Sequence, residues 1–480
     1  MSLKLKTISG ILWSLGQQFI IKIVGFLIMI VLARILAPAE FGLIAMLSLF
    51  IAIGNSLMDS GLGSSLIRTN DADNRDYSTV FYFNLVGSVL IYFLLYLAAP
   101  LISGFYRQPE LINVIRVYAI IIIINAFYSV QSTLLVKDMN FRLQTNIQVP
   151  AAIGGGILGI IMAKMGYGVW SLVWMSLFNA FLSTVMHWTF SKWRPDFIID
   201  RARFKQHFNF GYKMALSGLI ETVHQNLYTL IIGRLYSVTQ LGFYSRADQV
   251  SQLPISNISA AISKVTYPMF SEIAQDDARL KMVYKKMMQQ VIFWNAPILI
   301  YLCIVAEPLF IFLLTDKWLP AVPYFQILCL AGIIYPLHSY NLNILKVKGR
   351  SDLILKLEII KKTISVIGII SVIPFGIYGL LYFQLLFNFI GYYINSIYSG
   401  RSINYPATEQ IADILPTLVL SAAAGLLCYF TDQFLVNFLN LNALSRILID
   451  GVMYAATYLM LSTLAQLTAI TDFKHLILNR

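Results

Sequence analysis

The 480-residue chain is 58% hydrophobic and 12% charged, whereas about a quarter of the residues of a soluble domain are charged. This composition leaves no room for a large soluble domain and indicates a polytopic membrane protein. The net charge of +12 does not indicate a nucleic-acid partner, because membrane proteins collect lysine and arginine in their cytoplasmic loops.

Apolar runs of roughly 20 residues, the length that crosses a bilayer, predict fourteen membrane-spanning helices. The predicted spans are 11–33, 41–62, 80–102, 114–136, 144–164, 168–189, 210–233, 243–268, 291–314, 323–345, 355–375, 378–398, 412–432 and 446–468. The first run is longer than the apolar region of a signal peptide, so it is predicted to be a retained helix. The eighth is the most polar, and it is included because the internal repeat described below requires it.

Loop charge orients these spans. The side that carries both termini holds 21 lysines and arginines, and the opposite side holds six. Short loops rich in lysine and arginine remain in the cytoplasm. Both termini are therefore predicted to be cytoplasmic.

The chain repeats itself after ~200 residues. Arg34 and Gly42 in VLARILAPAEFGLIAM recur as Arg234 and Gly242 in IIGRLYSVTQLGFYSR, at the same spacing. Three further pairs of matching segments are 98–102 and 306–310, 134–137 and 344–346, and 166–179 and 376–388. Spans one to six and seven to twelve are therefore predicted to be two copies of one six-helix unit, followed by two additional spans.

Six spans return the chain to its starting side, so the two copies are expected to share one orientation, related by an axis along the membrane normal. The predicted fold is an all-α polytopic membrane protein with about 14 transmembrane helices, in which two parallel, pseudo-symmetric six-helix bundles enclose a central cleft. The predicted domains are an N-terminal bundle at 1–190, a basic cytoplasmic linker at 191–209, a second bundle at 210–400 and two additional helices at 401–480.

Four motifs and their order resemble the bacterial polysaccharide transporters, the Wzx-type flippases of the multidrug/oligosaccharidyl-lipid/polysaccharide (MOP) exporter superfamily. The motifs are the hairpin from Arg34 to Gly42, DSGLGSSLIR at 59–68, GFYSRA at 242–247 and TYPMFSEI at 266–273. Together with the arrangement of six, six and two spans, the resemblance covers essentially the whole chain.

The resemblance implies a secondary transporter rather than an enzyme. Such proteins move lipid-linked sugar units, usually on undecaprenyl pyrophosphate, from the inner to the outer leaflet of the bacterial inner membrane. The units serve lipopolysaccharide O-antigen, capsule or exopolysaccharide biosynthesis. The implied mechanism is alternating access, and the implied partners are the lipid-linked oligosaccharide, membrane lipids and a polysaccharide polymerase or chain-length machinery.

Polar residues at every fourth position mark spans one and seven. An ionisable group in the hydrocarbon core costs ~2.5–3.5 kcal/mol, so such groups are candidates for function. The stripes are Ser14, Gln18 and Lys22 in span one, and Lys213, Ser217, Glu221 and Gln225 in span seven. Residues four apart lie close to one face of a helix, and each stripe is expected to face the central cleft.

The substrate-binding candidates come from these stripes and from span eight. Lysine and arginine would attract the diphosphate, and glutamine would hydrogen-bond the sugar hydroxyls. The candidates are Gln18, Lys22, Lys213, Gln225, Arg246, Gln249 and Gln252. For Lys22 the alternative is a structural lysine that snorkels or is paired within the bundle.

The chain has no Walker loop for ATP, so a buried carboxylate that binds H⁺ or Na⁺ is the expected energy coupling. One charge that crosses 100 mV contributes ~2.3 kcal/mol. Glu221 is the first candidate, followed by Asp59 and Asp248. The alternative for Glu221 is an ion pair with Lys213 or His224, and the alternative for the two aspartates is a helix-end or pairing role.

The remaining patterns favour simpler interpretations. The histidines and cysteines lack metal-ligand spacing, so neither a metal nor another cofactor is expected. The glycines at 154–156 in span five are expected to allow close helix packing.

The main alternative function is a multidrug or cation antiporter of the same superfamily, which would need a more acidic cleft. A membrane glycosyltransferase or polymerase would need a large periplasmic loop with catalytic carboxylates. The longest predicted periplasmic loop, near 432–446, contains one acidic residue.

Overall fold

The computed structural model describes the backbone of residues 3–438 and 441–471, and their side chains except those of 3–12, 14–15, 260–265 and 437–438. Regular structure in this part of the chain is helical throughout, as predicted. Contacts divide the chain into two compact units, Met1–Gly242 and Phe243–Arg480. Several predicted polar or cytoplasmic side chains lie outside the described residues, namely Lys4, Lys6, Ser14, Lys474 and Arg480.

The first unit contains ten helices in the described residues and the start of an eleventh. They are α1 (Leu3–Ile35), α2 (Pro38–Asp59), α3 (Leu62–Arg68), α4 (Asn74–Tyr106), α5 (Leu111–Tyr118), α6 (Ile120–Lys137), α7 (Phe141–Lys164), α8 (Val169–Phe190), α9 (Arg201–Gln225), α10 (Leu227–Leu235) and the beginning of α11 (Val238–Glu272). Helix α7 packs between α1 and α8, and α6 contacts both α4 and α8.

The second unit contains the rest of α11 and the following helices. They are α12 (Asp277–Ile304), α13 (Ala306–Leu314), α14 (Val322–Gly332), α15 (Tyr335–Val347), α16 (Ser351–Val372), α17 (Gly376–Ser402), α18 (Ala407–Phe438) and α19 (Ala443–Leu464). Two short 3₁₀ helices, Asp316–Ala321 and Ile373–Phe375, connect neighbouring helices. Helix α12 packs against α18, and α17 packs against α14, α15 and α16.

Within the described residues, eleven segments are long and apolar enough to cross a membrane. They are Gly16–Ile35, Pro38–Asp59, Asn74–Tyr106, Leu111–Lys137, Phe141–Lys164, Val169–Phe190, Asp277–Ile304, Asp316–Val347, Ser351–Ser402, Ala407–Val436 and Ala443–Leu464. The 52-residue segment Ser351–Ser402 covers two predicted spans, because it comprises α16 and α17, which pack against each other.

The predicted seventh and eighth spans are not among these eleven segments. They fall on α9, α10 and α11, where charged and amide side chains such as Lys213, Glu221 and Asp248 reduce the apolar character. The all-helical membrane class is therefore confirmed, whereas the count of fourteen spans and their arrangement in two bundles stay predictions.

The boundary between the contact-defined units differs from the predicted linker at 191–209. Residues of this linker hydrogen-bond to the start of α4: the Asp196 amide donates to Ser78 Oγ and the Asp200 amide to Thr79 Oγ1, both at 3.0 Å. Helix α9, which begins the second sequence copy, contacts α2, α3 and α4. The predicted domains follow the sequence repeat, whereas the two units follow contacts, so the predicted boundaries stay a prediction.

A buried charged network fastens α9 within the first unit. Asp76, which is completely buried, accepts hydrogen bonds from Arg203 Nη1 at 2.7 Å and lies 2.9 Å from His207 Nε2. The other ring nitrogen of His207 lies 2.8 Å from Ser65 Oγ. The carboxylates of Asp76 and Asp73 raise the pKa of the Arg203 guanidinium by electrostatic attraction. A buried carboxylate is tolerated here because each oxygen has a partner.

The repeated glycines of the hairpin lie in one reciprocal contact. A Cβ added to Gly42 would collide with the carbonyl oxygen of Val238, and a Cβ added to Gly242 would collide with that of Pro38. Pro38 and Val238 are separated by the same 200 residues as the two glycines. The backbones at the starts of α2 and α11 are therefore in direct contact. Glycine is present at both Gly42 and Gly242 because any side chain there would push the two helices apart.

Candidate functional site

Amide side chains line a pocket between α1 and α7 in the first unit. The cavity has a volume of about 340 Å³, which is within the usual range for ligand sites. Its lining residues are Gln17, Gln18, Ile21, Lys22, Phe141, Gln144 and Gln148. Four glutamines and a lysine thus meet in two helices that are otherwise apolar enough to cross a membrane.

Helix geometry brings these side chains together. Gln144 and Gln148 are four residues apart, so they share one face of α7, as Gln18 and Lys22 share one face of α1. The Asn140 side chain accepts a hydrogen bond from the Leu143 amide at 3.2 Å and defines the start of α7. The amides on α7 therefore lie within its first two or three turns.

Close packing of α7 depends on its glycines. A Cβ on Gly156 would collide with the Ile28 side chain of α1, and a Cβ on Gly155 would lie 2.7 Å from the Met175 carbonyl oxygen of α8. The expected packing role of the glycines at 154–156 is therefore confirmed. Without side chains at these positions α7 approaches both neighbours closely, which brings its glutamines up to those of α1.

The pocket is preorganised by at least one hydrogen bond. Gln17 is 6% exposed, and its Nε2 donates to Gln148 Oε1 at 2.9 Å. Gln144 is 9% exposed. An amide both donates and accepts, as a sugar hydroxyl does, and an ammonium group donates to anionic oxygens. The arrangement can bind a hydroxyl-rich ligand that carries an anionic group.

The sequence identified only part of this pocket. Gln18 and Lys22 were predicted from their spacing, whereas Gln17, Gln144 and Gln148 were not. The pair on α7 has the same four-residue spacing inside an apolar run, so the same criterion applied to uncharged amides would have found it. Gln17 is next to Gln18, but the residue four positions after it is the apolar Ile21. Its spacing therefore forms no polar stripe and does not indicate a role in the pocket.

The predicted stripe of span seven lies on an exposed face of α9. Lys213, Ser217, Glu221 and Gln225 are all exposed, whereas His207 and Gly211 on the same helix are buried. Gln225 Nε2 donates to Glu221 Oε1 at 3.0 Å. The binding and coupling roles of this stripe stay predictions.

The remaining candidates lie on two other helices. Arg246, Asp248, Gln249 and Gln252 belong to the second unit, where Gln252 Nε2 is 3.4 Å from Asp248 Oδ1. Asp59 ends α2 in the first unit, and its Oδ1 accepts from the Gly63 amide at 3.2 Å. This bond across the turn between α2 and α3 fits the helix-end role that was the alternative for Asp59.

A helical chain with many membrane-length segments and a polar pocket between two of them has the architecture of a membrane transporter. The chain belongs to the polysaccharide biosynthesis protein family, whose model matches residues 31–323. The resemblance found in the sequence is thereby confirmed.

Curated relatives match most of the chain. A teichuronic acid biosynthesis protein, TuaB of Bacillus subtilis (strain 168), is 26% identical over 355 residues, which are 73% of this chain and 73% of the relative. The lipopolysaccharide biosynthesis protein WzxC of Escherichia coli (strain K12) is 24% identical over 439 residues, 89% of each chain.

A solved structure shares the fold. The lipid II flippase MurJ in an inward closed conformation superimposes with a TM-score of 0.71 at 15% sequence identity, covering 95% of this chain and 98% of that one. At this identity the likeness establishes the fold alone.

Proposed function

We propose that the chain is a secondary transporter that flips a lipid-linked oligosaccharide, carried on undecaprenyl pyrophosphate, from the inner to the outer leaflet of the bacterial inner membrane. The observation that carries this proposal is the pocket of glutamines around Lys22 inside apolar helices. Amides suit sugar hydroxyls, and the lysine suits the diphosphate. The names of the relatives, which refer to teichuronic acid and lipopolysaccharide biosynthesis, support a glycan cargo.

The position of the pocket along α7 supports a loading role. It lies at the start of α7, where Lys137 ends α6 and Arg142 follows in the first turn of α7, on either side of the connecting loop. Positively charged loops lie in the cytoplasm, so this end of α7 is the cytoplasmic end in the proposed topology, with both termini on that side. In this topology the pocket would open near the inner leaflet, which holds the diphosphate of the lipid carrier before transport.

Alternating access by two six-helix bundles in a chain of fourteen spans is the proposed mechanism. Coupling to H⁺ or Na⁺ through Glu221, Asp59 or Asp248 is part of the proposal. One charge moved across 100 mV would contribute ~2.3 kcal/mol to each cycle. A polysaccharide polymerase or chain-length machinery would receive the flipped units.

The test uses a deletion strain complemented with variants of the full chain. Lipid extracts are analysed by mass spectrometry for a polyprenyl-pyrophosphate oligosaccharide. We expect accumulation in the deletion strain, restoration by the wild-type gene, and renewed accumulation with Lys22→Met and Gln148→Met. Gln206→Met, which changes an exposed glutamine outside the pocket, is the matched control and should restore transport.

Two outcomes would overturn the proposal. One is a deletion strain without any accumulated lipid-linked glycan. The other is normal transport by the Lys22→Met, Gln148→Met double variant at wild-type protein level. New sensitivity to cationic drugs in the deletion strain, without accumulation, would instead support the antiporter alternative.

A further inference from the structure

A second polar pocket lies at the opposite end of the first unit, where the starts of α2 and α5 meet the turn between α7 and α8. Its volume is about 420 Å³. Two carboxylates, an amide and two aromatic rings contribute to its lining, namely Glu40, Glu110, Asn113, Tyr167 and Trp170. The glutamine pocket lies at the start of α7 and this pocket lies at its end, so the two sites are distinct.

The turn between α7 and α8 shapes this pocket. Gly166 and Gly168 have positive φ angles of 83° and 55°, which glycine adopts without strain. A Cβ on Gly168 would lie 2.8 Å from Glu40 Oε1, so the glycine also makes room for the carboxylate. Tyr167 is 51% exposed in the turn, and Trp170 lies in the first turn of α8.

Comparison with the second sequence copy separates what the fold needs from what this pocket adds. Glu40 Oε2 accepts from the Ala37 amide at 2.5 Å, and its counterpart Gln240 accepts from the Ser237 amide at 3.2 Å through Oε1. Helix capping at this position therefore requires an acceptor oxygen but no negative charge.

The same comparison applies to the aromatic ring. Aligning Phe178-Asn179 with Phe387-Asn388 places Gly379 opposite Trp170. The second copy thus begins the corresponding helix without an indole ring. The charge of Glu40 and the ring of Trp170 are thus features that the second copy lacks at the matching positions.

We propose that this pocket binds a sugar residue without an acidic group, from the glycan that has reached the extracytoplasmic side. Carboxylate and amide oxygens accept hydrogen bonds from sugar hydroxyls, and an aromatic face covers the apolar C–H face of a sugar ring. Two carboxylates repel an acidic sugar. The inference rests on the proposed function and on its topology, in which the C-terminal end of α7 is extracytoplasmic.

The test measures binding of a defined probe to the purified full chain in detergent. The probe is the lipid-free oligosaccharide released by mild acid from the surface polysaccharide of the producing strain, titrated by calorimetry. We expect Trp170→Ala and Glu110→Gln each to weaken binding about tenfold, the effect of one lost charge-assisted or aromatic contact. Trp170→Phe, which keeps an aromatic ring, should bind within about threefold of wild type.

Matched controls separate binding from folding. Trp174→Ala removes an exposed indole one turn further along α8, outside the pocket, and should leave affinity unchanged. Glu40→Gln keeps the helix cap, as Gln240 does in the second copy, and should weaken binding without lowering the thermal unfolding temperature. A variant that unfolds is replaced by its conservative partner in the same titration.

Wild-type affinity for the oligosaccharide in Trp170→Ala and Glu110→Gln would overturn the inference. It would also be overturned if the wild-type chain bound no oligosaccharide but bound Ca²⁺, and Glu110→Gln abolished that Ca²⁺ binding. Either result leaves the proposed function intact if the deletion strain still accumulates lipid-linked glycan. Failure of the proposed function appears separately, as a deletion strain without such accumulation.

Discussion

The first helices of the two sequence copies, α1 and α9, carry similar polar stripes and pack differently. In α1, Gln18 and Lys22 of the stripe line a pocket against α7, and the neighbouring Gln17 is almost completely buried. In α9 the stripe is exposed, and the buried residues, His207 and Gly211, lie on another face of the helix. Equal spacing along two helices therefore does not give equal surroundings, because the neighbouring helices differ.

The largest expected effect on stability comes from a substitution in the buried charged network that holds α9 in the first unit. Asp76→Asn removes the charge that pairs with Arg203 and His207. We expect a loss of about 2–3 kcal/mol in stability, less than the ~3–5 kcal/mol of a fully buried pair because Arg203 is partly exposed. Thermal unfolding of the purified protein in detergent measures the effect.

Asp73→Asn is the matched control for this substitution. Asp73 is half-exposed and lies 3.3 Å from the same arginine, and asparagine retains its capping bonds at the start of α4. Its cost should stay below about 1 kcal/mol. Equal costs for Asp73→Asn and Asp76→Asn would show that burial of Asp76 does not fasten α9.

The hairpins, in contrast to the first helices, are the place where the two copies are most alike. Gly42→Ala and Gly242→Ala each place a methyl group against a backbone carbonyl. Each should destabilise the protein by about 1–3 kcal/mol, and the two costs should be similar because the contact is reciprocal. Thermal unfolding again provides the measurement.

Gly87→Ala in α4 is the control, since no atom lies within 4 Å of the added Cβ. It should be neutral or stabilising by up to ~1 kcal/mol, because alanine favours a helix over glycine. A large cost at only one of the two hairpin glycines would contradict the reciprocal crossing.

The exposed stripe of α9 should give the smallest effect on stability. Glu221→Gln removes a charge but leaves an acceptor for Gln225, so the stability should change by less than about 0.5 kcal/mol. If Glu221 couples transport to protons, glycan export in cells carrying this variant should no longer respond to a protonophore. An unchanged response would exclude Glu221 and leave Asp59 and Asp248 as coupling candidates.

The sequence predicted the helical membrane class and the family correctly, because these depend on patterns along the chain. Gln18 and Lys22, which the sequence assigned to one helix face, both line the pocket, while their predicted position in a central cleft stays a prediction. Gln144 and Gln148 were not predicted, because no ionisable residue continues their four-residue spacing. The linker predicted at 191–209 stays a prediction; in the structure, Asp196 and Asp200 of this segment hydrogen-bond to Ser78 and Thr79.

Composition and periodicity are local properties, and by themselves they determined that this is a helical membrane protein, whereas the duplicated six-helix unit stays a prediction. Tertiary structure decided which stripe borders a pocket and which charges meet. Asp76 lies 127 residues from Arg203 and 131 residues from His207. Gln17 and Gln148 are likewise 131 residues apart. Such pairs form only when helices distant in sequence pack together, so no spacing rule along one helix could have indicated them.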